Sequence, residues 1–125
     1  MSGLSAGSVC WFREGNSDSR RMHNPQAPYI KVKGLGFLPA LHCPHYDFES
    51  DRQESLKKMM KSTPGVAIAL DNCSALEVID DTYRVIVSKK SARARKMYWS
   101  QGKYQDEIIP VSKEFRPLQE LLSRA

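Results

Sequence analysis

Five consecutive apolar residues, Val66-Ala67-Ile68-Ala69-Leu70, constrain the fold of this chain more than any other feature. The run has the length of a strand and offers no polar face. A strand apolar on both sides belongs inside a sheet covered on both faces, the usual mark of an α/β architecture. The segment before it supports this. Phe48 to Ser62 reads as a helix, with Leu56, Met59 and Met60 at three- and four-residue spacing, Glu54 four residues before Lys58, and Pro64-Gly65 as its stop. Leu35 to Leu41 is a second short apolar run, ending near Pro44, and reads as a buried strand.

Elsewhere the signals are those of turns. Ser5 to Trp11 reads as a tight turn entering a short helix of small residues, and Arg13 to Pro28, rich in Gly, Asn, Ser and Asp, as a loop. Ala75–Ile79 and Tyr83–Val87 flank Asp80-Asp81-Thr82, the pattern of a hairpin with an acidic turn. Met97-Tyr98-Trp99 and Tyr104–Val111 flank Gln101-Gly102 and predict a second hairpin. Pro117 to Leu122 closes the chain as a short helix with proline near its first turn. The expectation is one domain over residues 1–125, α/β with antiparallel hairpins near the C-terminus.

No apolar run approaches the ~18–20 residues that span a bilayer. Met1-Ser2-Gly3-Leu4-Ser5 lacks the basic start and apolar stretch of a secretory signal. Cys10, Cys43 and Cys73 are three widely spaced thiols, which suits reduced cytoplasm better than a disulfide scaffold. Cytoplasm is the expected compartment. The chain carries 19 basic and 14 acidic residues, a net +5, and much of the excess lies in Lys89-Lys90-Ser91-Ala92-Arg93-Ala94-Arg95-Lys96. Such a run could bind phosphates, but it reads better as a solvated loop between two strands. No zinc spacing, helix-turn-helix pattern or ribonucleoprotein aromatic motif accompanies it, so a basic nucleic-acid-binding protein is only the second alternative.

Gly3-Leu4-Ser5-Ala6-Gly7 fits G-x-S-x-G, a turn in which a strained serine projects its hydroxyl above a sheet. The small neighbours avoid clashes, and the next backbone N–H, here that of Ala6, can face a developing oxyanion. A serine nucleophile needs a base. His23 lies in the polar loop, whereas His42 and His45 bracket Cys43-Pro44 just beyond the apolar run, where α/β folds place working side chains. His42, Cys43, His45 and Asp47 are also potential metal ligands, but no second cluster completes a tetrahedral set, and neither metal nor cofactor is expected.

Three motifs then combine. Gly3-Leu4-Ser5-Ala6-Gly7-Ser8, the loop Gly15-Asn16-Ser17-Asp18 and Cys43-Pro44-His45-Tyr46-Asp47 stand in this order. Together they resemble the peptidase E (alpha-aspartyl dipeptidase) family of serine peptidases, over Ser2 to at least Tyr83. The resemblance implies a class I glutamine-amidotransferase-like three-layer sandwich. It makes Ser5 the nucleophile and His45 the general base. Asp18 matches the loop aspartate assigned to the charge relay in much of the family. Asp71, after the apolar strand, is the rival acid, placed where the fold's logic sets a strand-end carboxylate beside the histidine. Arg52 resembles the arginine that reads an acidic substrate side chain. The segment from histidine to arginine is shorter here than in the aspartyl dipeptidases, which sets strict aspartyl preference in question.

The implied function is that of a serine-type dipeptidase or small-peptide hydrolase working through an acyl-enzyme. Only Met1 to Leu4 precede Ser5, whereas the family carries an N-terminal half with several parallel strands and a Gly-rich turn that contributes to the oxyanion hole. The chain is therefore expected to be the C-terminal portion of such a peptidase, with an incomplete sheet, inactive alone if the missing half is essential. The expected partners are a small peptide, an N-terminal-half chain or a second copy, with an open apolar edge near Val66–Leu70 inviting association. The alternative is a non-catalytic fragment that binds a partner chain or an acidic ligand.

Overall fold

The computed structural model describes Gly3, residues 6–48 and residues 50–124, with the backbone alone for Ala6 and Met22. A short helix α1 (Ala6–Val9) leads into strand β1 (Phe12–Ser17), a 3-10 turn (Ser19–Met22) and strands β2 (Ile30–Lys33) and β3 (Leu38–Cys43). Helix α2 (Ser50–Met60) and strand β4 (Ala67–Leu70) follow, then β5 (Ser74–Ile79), β6 (Thr82–Val87), β7 (Ala94–Ser100) and β8 (Lys103–Ile109). The chain closes with β9 (Arg116–Pro117) and helix α3 (Leu118–Leu122).

Six strands form a mixed sheet in the order β2-β1-β3-β4-β7-β8, and β5-β6-β9 form a smaller antiparallel sheet. The three central strands β1, β3 and β4 are parallel, with His42 opposite both Gly15 and Ile68. β2, β7 and β8 add antiparallel flanks. The architecture is α/β, as the apolar run at 66–70 predicts.

Alternation along β3 and β4 divides the core. Leu41, Cys43, Ala67 and Ala69 pack with Leu56 and Met60 of α2 and with Tyr46 and Met97. Leu38, Ala40 and Ile68 face the other way, alongside Phe12 of β1, onto Tyr83 and Val85 of the small sheet and Leu121 of α3. Both faces of the central strands are thus covered, which is why these residues carry no polar stripe.

Both predicted hairpins form. The second turns on Gln101 (φ +52°) and Gly102 (φ +77°), with Ser100 paired to Lys103, and two consecutive left-handed residues give a turn whose twist matches its strands.

Four expectations change. Arg13–Pro28 is not a loop throughout: its first part is β1, inside the main sheet. β1 tolerates polar residues because its buried Asn16 is bonded across the layer by α2: Arg52 Nε donates to Asn16 Oδ1 at 3.1 Å, and Asn16 Nδ2 donates to Ser55 Oγ at 3.2 Å. The apolar run at 35–41 enters its strand late, at Leu38, and leaves Leu35 and Phe37 exposed. Val66–Leu70 is no open edge, since β4 lies between β3 and β7; the edges are β2, with Lys31 and Lys33, and β8, with Lys103, Asp106 and Glu107. Charged edges resist further pairing.

The basic run is only partly a loop, because Ala94 begins β7. Lys96 is buried and its Nζ donates to the carbonyls of Glu120 and Ser123 at 3.0 and 2.9 Å, at the end of α3. Arg95 pairs with Asp106 at 3.1 Å.

Candidate active site

The carboxyl ends of β3 and β4 lie side by side, and the chain leaving each supplies one half of a pair. Beyond β3, Pro44 leads into His45, whose backbone is left-handed (φ +52°). The next N–H, of Tyr46, donates to the Leu70 carbonyl at the end of β4 at 3.1 Å, so the turn is pinned to the neighbouring strand. Beyond β4, Asn72 brings its side chain to His45, with Nδ1 and Oδ1 2.5 Å apart. An amide oxygen only accepts, so Nδ1 carries the proton and the neutral ring holds its lone pair on Nε2. Asn72 is fixed in turn, since its backbone N–H donates to Asp47 Oδ1 at 2.8 Å.

A second imidazole lies beneath. His42 Nδ1 donates to the Ile68 carbonyl at 3.0 Å, and Ser8 on α1 donates its hydroxyl to His42 Nε2 at 2.9 Å. The ring stacks on Phe12 at 4.5 Å. Burial drives its pKa down to about 4, against the Ile68 carbonyl, and the positive charge of Arg52 adds to the lowering, so the ring is neutral at neutral pH. Burial likewise raises the Cys43 thiol to about 12, so it is no nucleophile.

These groups border a cavity of about 590 Å³ between the main sheet and the small one. Ser8, His42, His45 and Ser74 give it polar points, Trp11, Phe12, Leu76 and Leu118 apolar walls, and Asp80 and Asp81 an acidic rim. A concave, mostly apolar site with a few convergent polar groups is the usual form of a ligand pocket. Among the described residues no three His, Cys, Asp or Glu side chains converge as a metal site, and Cys10, Cys43 and Cys73 form no disulfide. Among the described residues no helix is long and apolar enough to cross a membrane.

A family model described as Peptidase family S51 matches residues 1–86, more than half of the chain. The chain belongs to peptidase family S51, the peptidase E family. It is also similar to an uncharacterized peptidase, YgaJ, of Bacillus subtilis (strain 168), at 32% identity over 113 residues. That match covers 89% of this chain and 46% of the relative, so the chain spans about half the length of the curated relative it matches.

With S51 membership in place, each expected site residue can be located. Ser5 lies outside the described residues, and Ala6 is the first residue of α1. His45 stands at the cavity. Asp18 is half-exposed and pairs with Arg52 Nη1 at 3.8 Å. Arg52 is buried on the α2 side, with Nη2 donating to the Asn16 carbonyl at 2.9 Å and its guanidinium 4.9 Å from the Tyr29 ring centre. Asp71 accepts the Arg93 N–H at 2.8 Å, and its carboxyl is raised by burial. The partner at His45 Nδ1 is Asn72, which the sequence reading did not select. Its position directly after the strand-end Asp71 was the available signal. The sequence names His42 as a candidate base but carries no signal for its pairing with Ser8, 34 residues away.

Proposed function

We propose that the chain carries the catalytic portion of a serine-type S51 peptidase acting on small peptides, with Ser5 as nucleophile and His45 as general base. Asn72 replaces an acid as the group that orients the histidine. The observation that carries this reading is the His45–Asn72 pair: it fixes the tautomer a base needs, at the carboxyl ends of parallel strands and beside a cavity. The G-x-S-x-G motif around Ser5 and the S51 match support the nucleophile.

His45 Nε2 takes the Ser5 hydroxyl proton as Oγ attacks the scissile carbonyl. The Ala6 N–H faces the oxyanion that forms. His45 then gives its proton to the leaving amine, and a water activated by the same ring releases the acyl group. Asn72 holds the ring but brings no negative charge, so the imidazolium gains less than from a carboxylate. Serine-type charge relays with an amide in third place have a counterpart in cysteine peptidases.

This reading includes the class I glutamine-amidotransferase-like sandwich, here over residues 1–125, and a partner: an N-terminal-half chain or a second copy that completes the oxyanion hole. Fluorophosphonate labelling followed by intact mass is the test. One adduct on the folded chain, absent in Ser5→Ala and slowed in His45→Gln, is the expected result. A folded chain that takes no adduct, alone or with an N-terminal-half chain added, would overturn it.

A further inference from the structure

We propose that the cavity beside His45 selects a substrate with a large apolar side chain and rejects aspartyl and other acidic side chains. The proposal rests on the reading of this site as a peptidase site.

The charges around the cavity carry the argument. Its lining contains two carboxylates, Asp80 and Asp81, and neither lysine nor arginine among the described residues. Arg52, the residue expected to meet an acidic substrate, lies on the opposite face of the sheet among Asn16, Asp18 and Tyr29. His42 adds no positive charge, because its Nδ1 proton is held by the Ile68 carbonyl and its Nε2 accepts from Ser8. A substrate carboxylate entering here would leave water, meet no lysine or arginine among the described residues and face two like charges.

The walls favour the opposite kind of group. Phe12 of the main sheet, Leu76 and Val78 of the small one, Leu118 of α3, and Trp11 and Phe37 beside the strands line the space, and about 590 Å³ is room for a Phe or Leu side chain with part of its backbone. Burial of apolar surface drives such a group in, whereas a hydrated acid is held out.

L-phenylalanine amide and L-aspartic acid α-amide share a cationic amino group and a neutral amide, so comparing them isolates the side chain. Their binding to the full chain can be followed by the Trp11 indole N–H resonance, with Trp99, which does not line the cavity, as internal control. The phenylalanine compound is expected to move Trp11 alone and bind at least about tenfold more tightly. Asp81→Lys, at an exposed turn, is expected to tighten aspartic acid α-amide several-fold while hardly changing the phenylalanine compound. Equal or tighter binding of the aspartyl compound, or no Trp11 response to either on folded protein, would overturn the proposal. Labelling of Ser5 is read separately, so loss of the peptidase reading and loss of this selectivity give different results.

Discussion

Asn72 holds His45 through Oδ1, 2.5 Å from Nδ1, while its own backbone N–H is held by Asp47 at 2.8 Å. The carboxylate is therefore one residue removed from the imidazole. In the proposed relay the geometry that orients the base is kept, and the charge that would stabilise its protonated form is displaced. Ring orientation and charge stabilisation, usually supplied by one side chain, are separated here.

Restoring the charge tests this division. A hydrogen bond to a charged group contributes ~1.5–3 kcal/mol, against ~0.5–1.5 kcal/mol for a neutral one. Asn72→Asp is therefore expected to speed fluorophosphonate labelling of Ser5 about tenfold. Asn72→Ala should slow it by roughly 10²–10⁴, because the ring loses its fixed tautomer. Labelling rate constants at neutral pH check both. An Asn72→Ala rate equal to that of the parent chain would remove Asn72 from the site.

Asp18 and Arg52 call for a different measurement, since the structure pairs them with each other on the α2 side. Arg52 is buried and Asp18 is half-exposed, with side-chain exposures of 2% and 52%. Arg52→Ala strands the buried Asn16 and opens a hole, at a cost of about 3–5 kcal/mol. Asp18→Asn removes a distant, solvated charge and should cost less than ~1 kcal/mol. Urea unfolding at pH 7 reads both. If Asn72 orients His45, Asp18→Asn also leaves the labelling rate where it was; a large fall would return Asp18 to the relay.

What the sequence could show follows the range of the forces involved. The strand at 66–70, the helix at 50–60 and both hairpins announce themselves locally, by periodicity or turn chemistry. β1 does not, because Asn16 is satisfied by Arg52 and Ser55, partners 36 and 39 residues away. At the histidine the sequence leaves two acids open, Asp18 by resemblance and Asp71 as the rival at the end of the apolar strand, and the side chain that meets His45 is neither. In the fold Asp71 turns to the Arg93 N–H and Asn72 to His45. Which of two adjacent side chains faces a given neighbour depends on how the chain turns as it leaves the strand, and composition carries no trace of that.

Gly15 is required by a close approach. A Cβ there would lie 2.3 and 2.9 Å from the two γ-methyls of Val9 on α1. Valine has little rotamer freedom in a helix, so α1, which carries Ser8, would have to move. Gly15→Ala is expected to destabilise the chain by about 1–3 kcal/mol. Adding Val9→Ala should recover part of that loss, and a double-mutant cycle from urea unfolding measures the coupling. Additive effects would show that the two residues do not share this space.

His42 makes stability depend on pH in a defined window. Its ring has a pKa of about 4 in the fold against 6.5 in the open chain, because burial disfavours the charged form. Between these values the unfolded chain binds a proton that the folded chain does not, so its contribution falls as the pH drops from 6.5 towards 4 and levels off below. At ~1.4 kcal/mol per pH unit the linkage amounts to about 3 kcal/mol. His42→Gln cannot titrate, so its urea midpoint should change less than the parent's between pH 7.5 and pH 4.5, even if it is less stable at both. Ser8→Ala keeps the buried ring and should keep the slope. A parent and a His42→Gln variant with the same slope would mean that His42 takes up its proton in the folded chain as readily as in the unfolded one.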